Sequence, residues 1–228
     1  MLKKIRFQPI KDIFMDNYIG FESTVCGENG ESASQLFDFF VGELASFDQW
    51  AIRESLNRGL PFLKSDQKLF INIHSETLEH GGDLIPDVDP NKVIIELSEV
   101  TEITSSVRHS LQNLSNRGFQ FAIDDFGVRC SNINRLTLDW FKPSWIKLDR
   151  TIIEHVDINP RVETIVKYTL DMCAELGIEV VAEGVETHNQ LLKLMQIGVR
   201  FAQGYYLGRP EDPRIITNLN RLQGTHTC

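Results

Sequence analysis

The segment FQFAIDD, residues 119–125, is a short apolar run that ends in two adjacent carboxylates, Asp124 and Asp125. Six other apolar runs also stop at an acid, an amide or a Lys-x-Asp. They are YIGFE (Glu22), LFIN (Asn72), VIIELSE (Glu96 and Glu99), WIKLD (Lys147 and Asp149), IEVVAE (Glu183) and VRFAQ (Gln203). Buried strands of a parallel sheet are near-continuous apolar stretches of about four to eight residues. The pattern predicts strands whose carboxyl ends carry the functional side chains, as in closed α/β barrels.

Strand-like and helix-like segments alternate along most of the chain. Strands are predicted near 5–9, 18–25, 68–74, 92–97, 119–124, 144–148, 178–182 and 200–202. Helices are predicted over roughly 33–58, 101–117, 131–140, 161–176, 187–198 and 213–222. Crossover helices between strands indicate a mostly parallel sheet. Only KDIFMDN, residues 11–17, separates the first two strands, so we expect these two to form an antiparallel hairpin.

Capping residues predict several helix ends. Thr101, Asn159 and Thr187 are expected to begin helices, whereas Gly118, Gly177 and Gly198 are expected to end them. No low-complexity linker or internal repeat divides the chain. We therefore predict a single domain over residues 1–228, with a core of about 5–212 and a frayed tail at the C-terminus.

The composition limits the classes of function. The 228 residues are 42% hydrophobic and carry a formal net charge of -9, which disfavours binding to long nucleic acids. No run of eighteen apolar residues predicts a membrane span, and the N-terminus does not have the form of a secretory signal. The four cysteines, Cys26, Cys130, Cys173 and Cys228, are scattered, so we expect reduced thiols and a cytoplasmic location.

Asp124 and Asp125 are the first candidates for metal binding. Side chains alternate within a strand, but at the strand end a turning backbone can direct both carboxylates to one mouth. Two close carboxylates repel unless a cation separates them, and Mg²⁺ or Mn²⁺ suits oxygen ligands. The alternative to metal binding is that one of the two aspartates caps a helix and the other lies in a solvated turn.

Glu22, Asn72 and Glu96 provide further oxygen donors of the kind that hard divalent cations prefer. Each also has an ordinary structural interpretation: an exposed edge acid, an Asx turn and a salt-bridged acid, respectively. If all three structural interpretations were correct, it would be a coincidence that all three residues stand at strand ends. Their joint occurrence therefore favours one or two bound ions.

Lys147 lies inside an apolar segment, where an unpaired lysine is rare. Its ammonium could orient the attacking water and neutralise a phosphoryl oxygen, or simply pair with Asp149. Glu183 could accept a proton or bind a metal, or could only favour a helix dipole. Two metals would activate water for attack on phosphorus, which favours a phosphodiester substrate. The sequence lacks G-x-S-x-G and H-E-x-x-H motifs, which argues against a serine hydrolase and a zinc hydrolase.

Taken in order, these motifs resemble EAL domains, the cyclic di-GMP phosphodiesterases. The matching segments are FQPI, GFE, FINI, ELSE, IDDFG, IKLD, VVAEGVET and QGYY, from about Phe7 to Pro210. The resemblance implies a modified (β/α)8 TIM-type barrel with one antiparallel strand. It also implies hydrolysis of cyclic di-GMP to linear pGpG with Mg²⁺ or Mn²⁺.

The resemblance also implies roles for individual residues. Metal ligands would be Glu22, Asn72, Glu96, Asp124, Asp125 and Glu183, and the residues acting in catalysis would be Lys147, Glu183 and Glu22. Glu99 would brace the loop that follows Asp125. Gln203, Asp149 and Arg129 would lie near the substrate, with Arg129 offering a replacement phosphate contact.

Two segments depart from the family pattern. Thr24 and Cys26 replace the leucine of the Glu-Ala-Leu motif and an arginine that follows it, and residues 128–132 replace a Thr-Gly-Tyr-Ser-Ser loop. A lost charge-assisted phosphate contact lowers affinity by roughly ten- to hundredfold. The alternative to an enzyme is therefore a degenerate domain that acts as a cyclic di-GMP receptor or binds a protein partner. A homodimer is a further expectation.

Overall fold

The structure is a computed structural model that describes residues 3–98, 101–128, 132–212, 214–215 and 218. Eight strands form one closed barrel in chain order. They are β1 (Lys3–Asp12), β2 (Asn17–Gly27), β3 (Lys68–Asn72), β4 (Val93–Leu97), β5 (Gln120–Phe126), β6 (Trp145–Leu148), β7 (Glu179–Ala182) and β8 (Phe201–Ala202). β1 is antiparallel to both neighbours, and the pairs from β2 to β8 are parallel. The expected barrel with one antiparallel strand, including its opening hairpin, is confirmed.

Helices surround this barrel. They are α1 (Ala33–Phe39), α2 (Leu44–Gly59), α3 (Ser75–His80), α4 (Ser105–Asn116), α5 (Arg150–Ile153), α6 (Pro160–Leu176) and α7 (His188–Ile197). The predicted starts at Asn159 and Thr187 are confirmed, since both side chains cap α6 and α7. Gly177 and Gly198 end the same helices in the left-handed conformation, as predicted.

Several helix predictions were wrong in their bounds. The single helix predicted over 33–58 is two helices, because the chain turns at Gly42, whose φ is +92°. Thr104, not Thr101, caps α4, and its side chain accepts a hydrogen bond from the backbone N–H of Val107. The helix predicted over 131–140 is a short 3₁₀ helix, Asn132–Thr137. The two shortest helices, α3 and α5, were missed, and most of the predicted helix at 213–222 lies outside the described residues.

The strands are apolar on both faces because both faces are buried. One face of each strand packs against the helices, with Ile71, Ile95 and Ile123 in the main core. The other face fills the barrel with a separate cluster: Ile10, Phe70, Ile94, Ala122, Trp145, Val181 and Phe201. Burial of one such large side chain contributes about 1.5–3 kcal/mol. This inner layer closes the barrel below the mouth.

The inner apolar layer also sets the position of the polar residues. Strand side chains repeat every two residues, so the residue two positions after an inward apolar side chain also points inward. Asn72 follows Phe70 at this spacing, and Lys147 follows Trp145. The same spacing relates Val181 to Glu183, just past the end of β7. The fold therefore places a polar layer directly above an apolar one.

No helix within the described part of the chain is both long enough and apolar enough to cross a lipid bilayer.

Candidate metal centre

Lys147 lies at the centre of four carboxylates at the mouth of the barrel. Its Nζ is 3.0 Å from Glu22 Oε2, 2.9 Å from Glu96 Oε1, 3.1 Å from Asp124 Oδ1 and 2.7 Å from Glu183 Oε1. The lysine side chain is 1% exposed and that of Glu96 is fully buried. These four acids come from four different strands or strand ends, so only barrel closure brings them together. The alternative ion pair with Asp149 is not formed.

The pKa values follow from this crowding. Burial raises the pKa of Glu96 well above its ordinary value of 4.5, and the neighbouring Glu22 carboxylate adds to the shift. Burial likewise raises the pKa of Glu183 well above 4.5 and the pKa of Asp124 above 3.8, although Lys147 opposes both shifts. Burial alone would lower the pKa of Lys147, but the surrounding acids, Asp124 first, raise it well above 10.5. The site therefore holds more negative charge than one ammonium can balance.

Glu22 differs from the other acids because it has more donors around it. Burial tends to raise its pKa, but Lys147, together with hydrogen bonds from Gln203 and Asn72, lowers the pKa below 4.5. Asn72 Nδ2 donates to Glu22 Oε1 at 3.4 Å and to Glu96 Oε2 at 3.0 Å. Gln203 Nε2 donates to Glu22 Oε2 and to Gln8 Oε1. Glu22 is thus the acid of the cluster whose ionised form is favoured.

Asp124 and Asp125 both reach the mouth because β5 contains an irregularity at this point. In the pairing with β6, Ile123 aligns with Ile146 but Phe126 aligns with Leu148, so β5 has one extra residue. Asp125 takes up the extra residue in a left-handed conformation, with φ of +49°. Aspartate tolerates this conformation better than most residues. The strand-end turn expected from the sequence is therefore a β-bulge.

The bulge completes a group of three carboxylates that fits a metal ion. Ligand oxygens of Asp124, Asp125 and Glu183 all lie within 4.8 Å of one another. Hard divalent cations bind clusters of carboxylate and amide oxygens, and a cation would relieve the excess negative charge. The donor set therefore fits a divalent cation.

The remaining predicted site residues have different positions. Gln203 is buried and donates a hydrogen bond to Glu22, and its place near a substrate stays a prediction. Asp149 begins α5, where its carboxylate accepts a hydrogen bond from the N–H of Thr151 at 2.7 Å. Asp149 therefore acts as the N-terminal cap of α5. Glu99 and Arg129 lie outside the described residues, so the loop-bracing and phosphate-binding roles stay predictions.

Thr24 and Cys26, the two positions of β2 that depart from the family pattern, share a face with Glu22. Glu22, Thr24 and Cys26 alternate with the buried Ser23 and Val25. Opposite them in the hairpin register lie Gln8, Arg6 and Lys4, respectively. This face of the hairpin therefore has a cysteine where the family pattern has an arginine, and two cations stand opposite on β1, of which Arg6 pairs with Glu211 at 3.2 Å.

Sequence reasoning missed several residues around the centre. A cleft of about 230 Å³ opens beside Glu22 and Glu183, and its wall includes Gln8, Arg150, Glu186 and Tyr205. A second omission is Asp48 on α2. Its buried carboxylate accepts from the N–H of His74 at 2.9 Å, two residues after Asn72, and so holds the end of β3 in place. The sequence signal for Asp48 was an aspartate within the largely apolar helical segment ASFDQWAI, residues 45–52.

Comparison with known proteins agrees with this geometry. The profile described as the EAL domain matches residues 3–210. The chain belongs to the EAL domain family. It is 35% identical over 130 residues to cyclic di-GMP phosphodiesterase PdeB of Shewanella oneidensis, and 37% identical over 124 residues to cyclic di-GMP phosphodiesterase RocR of Pseudomonas aeruginosa. These alignments cover 55% and 53% of this chain but only 15% and 31% of the two relatives. The chain thus matches a minor part of each relative.

Solved structures extend the likeness over the whole barrel. The manganese and cyclic di-GMP complex of BlrP1 from Klebsiella pneumoniae superposes with a TM-score of 0.84 at 28% identity, covering 92% of this EAL domain and 56% of that chain. A standalone versatile EAL protein from Vibrio cholerae, bound to cyclic di-GMP, gives a TM-score of 0.75 at 28% identity. This second match covers 92% of the present chain and 93% of the other.

Proposed function

We propose that this EAL domain is a metal-dependent phosphodiesterase that hydrolyses cyclic di-GMP to linear pGpG. The observation that carries the proposal is the convergence of four carboxylates on the buried ammonium of Lys147. Such a centre has no structural necessity, because apolar side chains of similar volume stabilise a barrel interior equally well or better. Its excess negative charge is suited to bound divalent cations.

Two groups of residues would hold the ions. Glu22, Asn72, Glu96 and Asp124 would hold one ion. Asp124, Asp125 and Glu183, whose ligand oxygens lie within 4.8 Å of one another, would hold the second. Bound Mg²⁺ or Mn²⁺ would lower the pKa of water and offset the charge of the phosphodiester. Which of the two metals the protein uses is a matter for the assay below.

The protein's own residues then orient the reaction. Lys147 Nζ lies among the ligands and can donate a hydrogen bond that holds the attacking water oxygen. The Glu183 carboxylate lies 2.7 Å from Lys147 Nζ, so it can accept a proton from the same water. Hydrolysis adds water across one P–O bond, so that phosphorus gains a hydroxyl oxygen and the leaving 3′ oxygen gains a proton. The product has one 5′ phosphate and one free 3′ hydroxyl.

Turnover of cyclic di-GMP by the purified protein is the direct test. Incubation with Mg²⁺ or Mn²⁺ should yield pGpG, and a Lys147→Met variant should be at least about 100-fold slower. Lys193→Met is the matched control, since this half-buried lysine pairs with Glu163 between α7 and α6, outside the metal centre. The absence of pGpG with both metals at high protein concentration would reject the enzyme.

A receptor is the second candidate, favoured by Thr24 and Cys26 on the face above the centre. Calorimetry separates the two candidates: nucleotide binding without turnover supports a receptor. If the nucleotide does not bind at all, a protein partner becomes the better proposal.

A homodimer and a cytoplasmic location complete the proposal. Ile165, Tyr168 and Leu176 are exposed and share one side of α6, which supports contact with a second copy. Light scattering of the purified chain tests the dimer. The cytoplasmic location rests on the scattered cysteines of the sequence.

A further inference from the structure

Arg150 is the side chain that stands out beside the metal centre. It lines the cleft of about 230 Å³ together with Glu22, Glu183, Glu186 and Gln203. Among the described residues of this wall, Arg150 carries the only positive charge. Neither the sequence motifs nor the metal-ligand geometry assigns a role to Arg150.

Gly184 allows Arg150 to reach the cleft. This glycine directly follows Glu183, and its φ of +70° belongs to the left-handed region. A Cβ at Gly184 would lie 2.4 Å from Arg150 Cγ and 3.1 Å from Arg150 Cα. Any other residue would therefore push the arginine stem away from the loop that carries Glu183. The close approach fixes the base of the side chain next to the metal centre.

Glu186 holds the other end of the side chain. Arg150 Nη1 lies 3.2 Å from Glu186 Oε1, and the arginine side chain remains 56% exposed. The guanidinium is thus oriented but still open to the cleft. An exposed ion pair of this kind is weak in water, so an anion that accepts two hydrogen bonds can replace the glutamate.

Phosphate is such an anion. A planar guanidinium donates two parallel hydrogen bonds to a phosphate, a geometry that an ammonium does not offer. Around the cleft, Glu22, Glu183 and Glu186 would repel the phosphodiester if no cation faced it. Resting on the proposed function, we infer that Arg150 binds a non-bridging phosphate oxygen of cyclic di-GMP and that Glu186 competes with the substrate for Arg150. Arg150 is thereby a substrate-binding residue, and Glu186 holds it in position.

The two partners have opposite expected effects on KM. Arg150→Ala should raise KM for cyclic di-GMP roughly 10- to 100-fold, the usual effect of losing a charge-assisted hydrogen bond, with kcat changed by less than about threefold. Arg150→Lys should raise KM less than Arg150→Ala does, because lysine keeps the positive charge but cannot donate two parallel hydrogen bonds. Glu186→Gln should lower KM by about two- to fivefold, since the guanidinium loses its competitor. A merely structural ion pair would raise KM in both the alanine and the glutamine variants.

Two controls keep the result interpretable. Arg161→Ala removes the same charge from the exposed start of α6 and should leave KM unchanged. Mn²⁺ affinity and the thermal midpoint of Arg150→Ala should match the wild type, which shows an intact fold and metal centre. An unchanged KM in folded Arg150→Ala, or a raised KM in Glu186→Gln, overturns the inference.

Calorimetry separates this inference from the proposed activity. If the wild type binds cyclic di-GMP with Mn²⁺ but does not hydrolyse it, the same variants are compared by Kd. A Kd raised by Arg150→Ala then supports the phosphate contact while the enzyme fails, and an equal Kd overturns the contact. If the wild type neither hydrolyses nor binds the nucleotide, both proposals fall.

Discussion

Lys147 Nζ and Glu183 Oε1 are 2.7 Å apart, the shortest of the four contacts between this ammonium and a carboxylate. Lys147 lies on β6 and Glu183 directly follows the adjacent parallel strand β7, and the backbone N–H of Glu183 donates to the carbonyl of Leu148 at 3.0 Å. That hydrogen bond extends the β6–β7 ladder by one residue. The sheet itself therefore fixes the Lys147 ammonium against the Glu183 carboxylate.

Replacement of Lys147 by methionine should destabilise the metal-free protein strongly. The substitution leaves four buried or half-buried carboxylates without their cation, and breaking such a group reduces the free energy of unfolding by about 3–5 kcal/mol. Mn²⁺ should restore much of this loss, since the ion replaces the missing positive charge. Urea unfolding with and without Mn²⁺ measures both effects. If the variant and the wild type are equally stable without metal, the carboxylates do not depend on Lys147 for charge balance. The control Lys193→Met should change the free energy of unfolding by less than about 1 kcal/mol.

Stability of the metal-free protein should depend on pH through Glu96. Its folded-state pKa is raised well above 4.5, so its stabilising contribution is complete below about pH 4.5 and is lost as pH rises through the folded-state value. Glu183 acts in the same direction, whereas Glu22, with a lowered pKa, loses its contribution as pH falls. A Glu96→Gln variant should accordingly be more stable than the wild type at pH 7 without metal, and the difference should shrink toward pH 4.5.

Metal binding should reverse this pH dependence. Metal ligands must be deprotonated, so protons compete with Mn²⁺ for Glu96 and Glu183. The rise in thermal midpoint on addition of Mn²⁺ should be larger at pH 8 than at pH 6. Differential scanning fluorimetry at constant ionic strength measures it. The same rise at both pH values would show that these carboxylates do not bind the ion.

Asp125→Asn tests the β-bulge and the second metal position together. Asparagine tolerates the left-handed backbone of Asp125, so the fold should be retained within about 1 kcal/mol, but one carboxylate is lost from the group with Asp124 and Glu183. Titration with Mn²⁺ followed by electron paramagnetic resonance should show one fewer tightly bound ion. An unchanged stoichiometry would remove Asp125 from the ligand set.

Cys26→Arg should increase affinity for cyclic di-GMP. Position 26 lies on the same face of β2 as Glu22, so an arginine there would project above the metal centre. The gain should be below the roughly 10- to 100-fold expected for a charge-assisted contact, because Lys4 lies directly opposite in the hairpin and repels a second cation. Calorimetry on Cys26→Arg beside Cys26→Ser measures the gain. A decrease in affinity would place the substrate elsewhere.

Most strands could be predicted because each is an apolar run that stops at a polar residue. Helix ends were predictable where a capping side chain and a glycine coincide, as for α6 and α7. Prediction failed between residues 33 and 58, since the apolar pattern continues on both sides of the turn at Gly42. It also failed for α5, whose four residues are too short to show a periodicity.

The sequence by itself determined the order of strands along the chain, the two-residue spacing between apolar and polar layers, and which acidic and amide residues stand at the strand ends. Those properties are local, because each depends only on neighbouring residues along one strand. Tertiary structure alone decided that Lys147 contacts Glu22, 125 residues away, and that Arg150 faces the same cleft. It also decided that Asp124 and Asp125 share one mouth, since the bulge exists only relative to the register of β6. Contacts of this kind arise from closure of the barrel, and no single segment specifies how its neighbours will align.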